Sequence, residues 1–345
     1  MNIKKLLGVE LPVIQAPMAG VQDSALALAV SSAGGLGSLP CGMLSHEALH
    51  VELTTIKAQS QKPININFFC HTPPVYNLER ETRWREILQP YFDEYGLDVN
   101  SITPGLERRP FSHDVADVVE EFKPEIVSFH FGLPARDLLA RVKRWGTTVL
   151  ASATTVEEAQ WLETHGADFI IAQGAEAGGH RGMFLSDDIT TQVGTFALLP
   201  QIVQKVNVPV IATGGIADAK GVVAALSLGA IAVQVGTAYL LCSETKTTPI
   251  HRTALRSETA HHTVITNLFS GRPARGIMNR VIKEIGPLND EVPAYPLAAT
   301  AMSALRGQAE RRGSGDFSPL WCGQNASGCK EIPAAELTRE LVANL

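Results

Sequence analysis

Short apolar runs recur along this chain, each followed by sequence of a different rhythm. Eight of them, at 13–17, 35–39, 64–69, 126–131, 148–152, 169–172, 208–213 and 230–235, are near-continuously apolar or small. That lack of alternation marks a parallel strand covered on both faces. Helix-compatible stretches lie between them, including 24–33, 115–121, 138–144, 156–165, 195–206 and 219–228. Thr155 ahead of Val156-Glu157-Glu158, and Asp218 ahead of Ala219, have the chemistry of helix N-caps, a side-chain oxygen offered to an orphan backbone N–H. Strand and helix alternating about eight times predicts a (β/α)8 barrel, with a doubly wound open sheet as the alternative.

Two stretches break the rhythm. Residues 71–110 are rich in Pro, Arg, Glu and aromatics and predict a helical excursion. Residues 243–315 read as largely helical with loops and predict a lobe over the mouth of the barrel, where a lid would exclude water. The expected division is therefore a TIM barrel over 1–242 interrupted by that excursion, a smaller, mostly helical lid over 243–315, and a segment 316–345 returning to the barrel. There is no internal repeat of solenoid length and no low-complexity segment.

Composition narrows the function classes. The chain has 345 residues, 45% hydrophobic and 19% charged, enough apolar material for a large core. A net charge of −6 and a pI near 5.9 argue against a nucleic-acid footprint or a basic membrane surface. No run approaches the ~18 apolar residues of a membrane span. The start has a basic pair, Lys4-Lys5, but Gly8, Glu10 and Pro12 interrupt the apolar stretch that a signal peptide needs. Five cysteines without a Cys-x-x-Cys pair predict reduced thiols in a cytoplasmic protein, with neither a zinc site nor a disulfide framework.

The segment with most chemistry is Ala172-Gln173-Gly174-Ala175-Glu176-Ala177-Gly178-Gly179-His180-Arg181-Gly182, which follows the short apolar run Asp168-Phe169-Ile170-Ile171. A strand that breaks into small residues and then presents one imidazole has the makings of an active-site rim. The last two strands also end in glycines, at Thr213-Gly214-Gly215-Ile216 and Gln234-Val235-Gly236-Thr237. In a barrel these two positions commonly hold phosphate, and glycine turns can aim backbone N–H groups at an anion. Each alone is weak, since glycine also ends strands for steric reasons; together they point to a phosphate-bearing ligand.

Strand one ends in Gln15-Ala16-Pro17-Met18-Ala19-Gly20. With the His180 segment, Thr213-Gly214-Gly215-Ile216, Gln234-Val235-Gly236-Thr237, Ser128-Phe129-His130-Phe131-Gly132 and Leu320-Trp321-Cys322-Gly323-Gln324, it resembles the nitronate monooxygenases, formerly called 2-nitropropane dioxygenases. The resemblance spans essentially the whole chain, and the His130 and His180 segments favour the class I branch. It implies an FMN-dependent TIM-barrel enzyme that oxidises an anionic alkyl nitronate, such as propionate 3-nitronate, with O2 to a carbonyl compound and nitrite, consuming no reduced nicotinamide. It further implies that Met18 and Asn67 approach the flavin ring and that Gln173 and Gly178 flank it. Gly214, Gly215 and Gln234, Val235, Gly236, Thr237 would hold the ribityl phosphate. Asn65 competes with Asn67, because alternation puts both on one face. His180 would be the catalytic histidine, with His130 lining the same pocket. No metal is implied, and a homodimer stays open.

Physical chemistry agrees with that set: a nitronate carries charge on its nitro oxygens and calls for hydrogen-bond donors in a dry pocket. Plainer readings cover the remaining residues. His251 and His261-His262 are expected on the surface, Arg272, Arg275 and Arg280 on a solvated face, Arg311-Arg312 as surface charge, and Glu176 as a carboxylate that orients its loop through backbone N–H groups. Tyr295 is a candidate to reach the substrate from the lid. The rival functions are an FMN-dependent NAD(P)H reductase for enoyl thioesters or quinones on the same scaffold, and a phosphate-binding barrel without flavin.

Overall fold

The protein was analysed as a computed structural model, which describes residues 3–99, 102 and 108–345. Eight parallel strands form one sheet in the order β1 (Val13–Gln15), β9 (Ala232–Val235), β8 (Val210–Thr213), β6 (Phe169–Gln173), β5 (Thr148–Ala153), β4 (Ile126–His130), β3 (Ile64–Phe69), β2 (Gly37–Pro40). A parallel bridge between Ile14 and Leu36 joins the two ends, so the sheet closes into a TIM barrel and the open-sheet alternative falls.

Helices cover the outside: α2 (Ser24–Ser32), α3 (His46–Gln59), α5 (His113–Phe122), α6 (Arg136–Arg144), α7 (Val156–Thr164), α8 (Thr195–Lys205) and α9 (Ala219–Ser227). The two expected caps are made: Thr155 accepts from the Glu158 N–H and Asp218 from the Gly221 N–H. Period-two geometry sorts the strand residues. Val13, Ile170, Val210 and Val233 pack outward in one cluster with Leu26, Leu162 and Leu199 of the helices. Ile14, Leu36, Ile126, Leu150, Phe169, Ile171, Ile211 and Ala232 fill the barrel floor, with Leu7 of α1 (Ile3–Leu7) and Val9 below. Further along the same inward rows the side chains turn polar: Asn67, Ser128, Ser152, Gln173, Thr213 and Gln234. Those rows end at the carboxyl ends of the strands, where barrels place their chemistry.

The region over the mouth differs from the helical expectation. Besides α10 (Pro249–Leu255), α11 (Arg280–Ile285) and α12 (Ala299–Arg311) it contains β10 (Thr263–Thr266) and β11 (Ala274–Ile277). These pair antiparallel, and β11 pairs in turn with β7 (Gly179–His180), so the glycine turn after β6 is pinned as a strand. The excursion after β3 forms α4 (Leu78–Tyr95); its residues 100, 101 and 103–107 lie outside the described set. Trp84, Leu88 and Phe92 of α4 share a core with Val281, Met302, Leu305 and Phe317, so two segments some 200 residues apart build one layer. Finally α13 (Ala334–Glu340) lies against α2, with Leu337 in the main core and Thr338 bonded to Tyr239 Oη at 2.8 Å.

Candidate active site

A cavity of about 270 Å3 sits where the polar strand ends meet the covering layer. Its barrel side is built by β1 and its turn (Ala16–Val21 in sequence, with Met18), β3 (Asn67), β4 (Ser128, His130), β5 (Ser152), β6 (Gln173), β8 (Thr213) and β9 (Gln234). Its loops contribute glycines 178, 179, 214, 215, 236 and 323, and the cover contributes Arg108, His251, Tyr295 and Trp321. The choice between the two asparagines is resolved in space: Asn67 reaches the cavity and donates to Ser128 Oγ at 2.9 Å, whereas Asn65 lies deeper and donates to Ser38 Oγ. Gln234 Oε1 is buried on the cavity wall without a hydrogen-bond partner among the described residues.

The turn from β6 into β7 is held by side chains that the local sequence does not announce. Gln173 donates to His180 O at 3.0 Å and accepts from the Gly182 N–H at 2.7 Å, spanning the turn with one amide. Arg181 is fully buried beneath it and donates to the carbonyls of Gln173 and Gly174 and to Gln192. Arg275, 7% exposed, donates to Ala175 O and to Thr263. Neighbouring carbonyls take a charge-assisted donor each, which makes the turn rigid. Glu176 accepts from Thr195 N and Oγ1, the loop-orienting role expected of it. Gly178 packs so tightly that an added Cβ would stand 2.5 Å from Gly323 N, and Gly215 takes φ +72°, which favours glycine. Part of the glycine pattern is therefore steric.

His180 presents Nε2 to Ser270 Oγ at 2.8 Å, and His130 sits behind it, with Nδ1 3.1 Å from Ser152 Oγ and Nε2 3.2 Å from His180 O. The acceptor of that last contact is a carbonyl, so His130 Nε2 carries the proton. Burial is the main reason both imidazoles stay neutral. His130 is pushed down to about 4, and His180 is held well below the usual imidazole range with Arg108, His130, Arg272 and His71 adding to the effect. Phe131 (φ +70°), Tyr295 and Trp321 ring His180 at centroid distances of 6.1, 5.5 and 5.4 Å. The site thus joins imidazoles held neutral and guanidinium charge in one pocket, a setting that attracts anions and leaves a nitrogen able to accept a proton.

The family model for nitronate monooxygenase matches residues 1–344. The chain belongs to the nitronate monooxygenase family. A nitronate monooxygenase of Paraburkholderia phytofirmans is 43% identical over 99% of this chain and 93% of the relative. Among solved structures, nitroalkane oxidase from Streptomyces ansochromogenes superposes with a TM-score of 0.90 at 36% identity, covering 100% of this chain and 98% of that one. FabK from Thermotoga maritima superposes at 0.74 and 27% identity, covering 99% and 94%. As a member of the nitronate monooxygenase family the chain is an oxidoreductase whose chemistry is nitronate oxidation.

Of the residues expected to serve that chemistry, the structure brings His180, His130, Met18, Asn67, Gln173, Gly178, Gly214, Gly215, Gln234, Gly236 and Thr237 onto one cavity wall. Val235 is not among them. Alternation along β9 turns Gln234 inward and Val235 outward into the core against the helices. Three plainer expectations are corrected. His251 is 5% exposed, lines the cavity and contacts Trp321 O, because α10 tucks against the barrel rim; its imidazole is pushed down to about 4 by burial. Arg275 is buried under the turn, and Arg272 stacks on Phe131 with 4.3 Å from guanidinium to ring centre. Arg280 does lie outside, paired with Glu94 and Glu284, and His261 and His262 are exposed. Sequence reasoning missed Arg181, Ser270 and Arg108. Arg181 had one signal, its place directly after His180; Ser270 and Arg108 had none, since only folding brings them near. Among the described residues no cluster of three metal-binding side chains occurs, and no helix is long and apolar enough to cross a membrane.

Proposed function

We propose that this chain oxidises anionic alkyl nitronates, with FMN as bound cofactor and O2 as oxidant, to a carbonyl compound and nitrite. The observation that carries the reading is His180 lining a cavity with Arg108 on its wall and glycine turns at the two phosphate-favouring strand ends; burial in the site holds its imidazole below the usual range. The residues present suit FMN. Gln234 Oε1 is a buried acceptor still lacking a donor, which the ring system of a flavin would supply, and Gly214, Gly215, Gly236 and Thr237 would receive its phosphate. Met18, Asn67, Gln173 and Gly178 would flank the ring. When bound, FMN supplies the one-electron oxidation of the substrate.

The chain's own residues bind, orient and exclude water. Tyr295 and Trp321 line the pocket beside His180, and Phe131 packs against the same imidazole. A nitronate has already lost its proton and needs from His180 a hydrogen-bonding partner. A neutral nitroalkane needs a base, and an imidazole kept neutral by burial fills that role. The test is oxygen uptake by the purified protein with an alkyl nitronate and no NADH or NADPH. Rapid uptake with nitrite release from a yellow protein is the expected result. No uptake from a yellow protein would favour the nicotinamide-dependent reductase, and a colourless protein with no uptake would count against FMN.

A further inference from the structure

One corner of the cavity combines more positive charge and more unpaired polarity than binding a flavin explains. His180 and Tyr295 line it, and His71 and Phe131 pack behind them, with His71 and Tyr295 4.8 Å apart and Phe131 and Tyr295 5.5 Å apart between ring centres. Arg272 reaches it already committed, stacked on Phe131 and donating to Met183 O at 3.0 Å. Arg108 forms part of the cavity wall itself, its guanidinium carbon 5.9 Å from the centre of the Tyr295 ring.

The backbone at Arg108 and just after it is tied to the barrel. His71, two residues past β3, donates from Nε2 to Arg108 O at 3.0 Å, and the Phe111 N–H donates to Phe69 O at 2.8 Å. Tyr295 is 6% exposed; the Arg108 guanidinium is close enough to act on its oxygen as a donor, and no acceptor for its O–H occurs among the described residues. A buried donor left unmade is costly unless a ligand completes it. Arg108 is also the strongest charge acting on both His180 and Tyr295. Glu310 is the one carboxylate among the described residues of the cavity wall, and Arg306 and Ser318 already hold it at 2.7 Å each.

We infer that Arg108 and the Tyr295 hydroxyl form an oxyanion subsite for the substrate, the guanidinium supplying charge and the phenol donating a hydrogen bond. This rests on the nitronate reading above and adds which side chains take the substrate's anionic oxygens. The planar fork of a guanidinium matches a planar two-oxygen anion. Two parts of a substrate meet that description: the nitro group of the nitronate, and a carboxylate at the far end of its chain.

The experiment uses R108Q, R108K and Y295F in the full-length protein, with folding checked by circular dichroism. Steady-state kinetics are measured on ethyl nitronate and on propionate 3-nitronate, and binding of inorganic nitrate is measured by calorimetry. R108Q is expected to raise KM about 10- to 100-fold with kcat little changed, with partial rescue in R108K, and to weaken nitrate binding by a similar factor. Loss on both substrates supports the subsite and assigns it to the nitro group; loss confined to propionate 3-nitronate supports it and assigns it to the carboxylate. Unchanged KM on both, with unchanged nitrate affinity, overturns the inference. Y295F is expected to raise KM without lowering the melting temperature, because it removes a buried O–H donor that has no acceptor in the free protein. An unchanged KM there overturns the phenol's part. If the wild type consumes no oxygen with any nitronate yet binds nitrate through Arg108, the nitronate reading fails and the subsite stands.

Discussion

At His180 the physical question is which proton state meets the substrate. Burial and the surrounding cations favour the neutral ring, and Ser270 Oγ at 2.8 Å fixes its direction. H180N keeps a hydrogen-bonding group and removes the base. The expected result is a fall of roughly 10^2- to 10^4-fold in kcat/KM on neutral nitroalkanes, and a much smaller fall on pre-formed nitronates. Equal losses on the two substrates would remove the base role. His180 was legible because it stands in a run of glycines at a strand end. Ser270 was not, because the contact joins residues 90 positions apart. Its test is S270A, expected to cost several-fold on neutral nitroalkanes and to shift the pH profile of kcat/KM, as an orienting partner does. An unchanged profile would leave Ser270 a packing residue.

At the scale of elements, the turn from β6 to β7 and the paired covering segments matter most. In G178A the new methyl would meet Gly323 N at 2.5 Å and Cys322 C at 2.6 Å, backbone atoms that cannot swing aside. The expected cost is about 1–3 kcal/mol, read as a lower melting temperature, with activity lost beyond that because the turn carries His180. An unshifted melting temperature would show that the loops yield freely. Trp84→Ala tests whether α4 and the covering segments are one layer: Trp84 is fully buried among Leu305, Met302 and Phe317. Loss of about 3–5 kcal/mol is expected, together with faster proteolytic cleavage in 268–317 as well as in α4. Cleavage confined to α4 would contradict a shared core. The strands were legible to within two residues at each end; β7, β10 and β11 were not. The β7–β11 pairing joins residues more than 90 positions apart, and two-residue β7 has no periodicity to read; β10 and β11 are four-residue strands inside a stretch read as helical.

The whole molecule carries several buried neutral imidazoles, which ties its stability to pH. His130 and His251 are each pushed down to about 4 by burial, against about 6.5 in an unfolded chain. Between those values the unfolded state binds more protons than the folded one, so stability falls as pH falls through that window and levels off below it. Denaturant midpoints at pH 7.5, 5.5 and 4 should drop in that order, and H251F should show a shallower drop between pH 6.5 and 4 if it folds. A midpoint independent of pH across this range would show that these rings take up protons without unfolding.

Resemblance to a family named most of the expected cavity residues; the barrel, its strand count, two of its caps, and His180 with the glycine turns as the place of chemistry were determined by the sequence itself. Each of these is a local property: hydrophobic period, capping chemistry, or residues within a strand end. Asn67 over Asn65, Gln234 over Val235, the burial of His251 and Arg275, and the meeting of Arg108, Ser270 and Tyr295 around His180 were decided only by the tertiary structure. The physical reason is the same throughout. Which face of a strand turns inward depends on how the sheet closes, and which distant loop covers the mouth depends on packing between α4 and the segments after β9. Neither leaves a periodic mark on the chain, because burial in a shared core is a property of the assembled layers and not of any one stretch of residues.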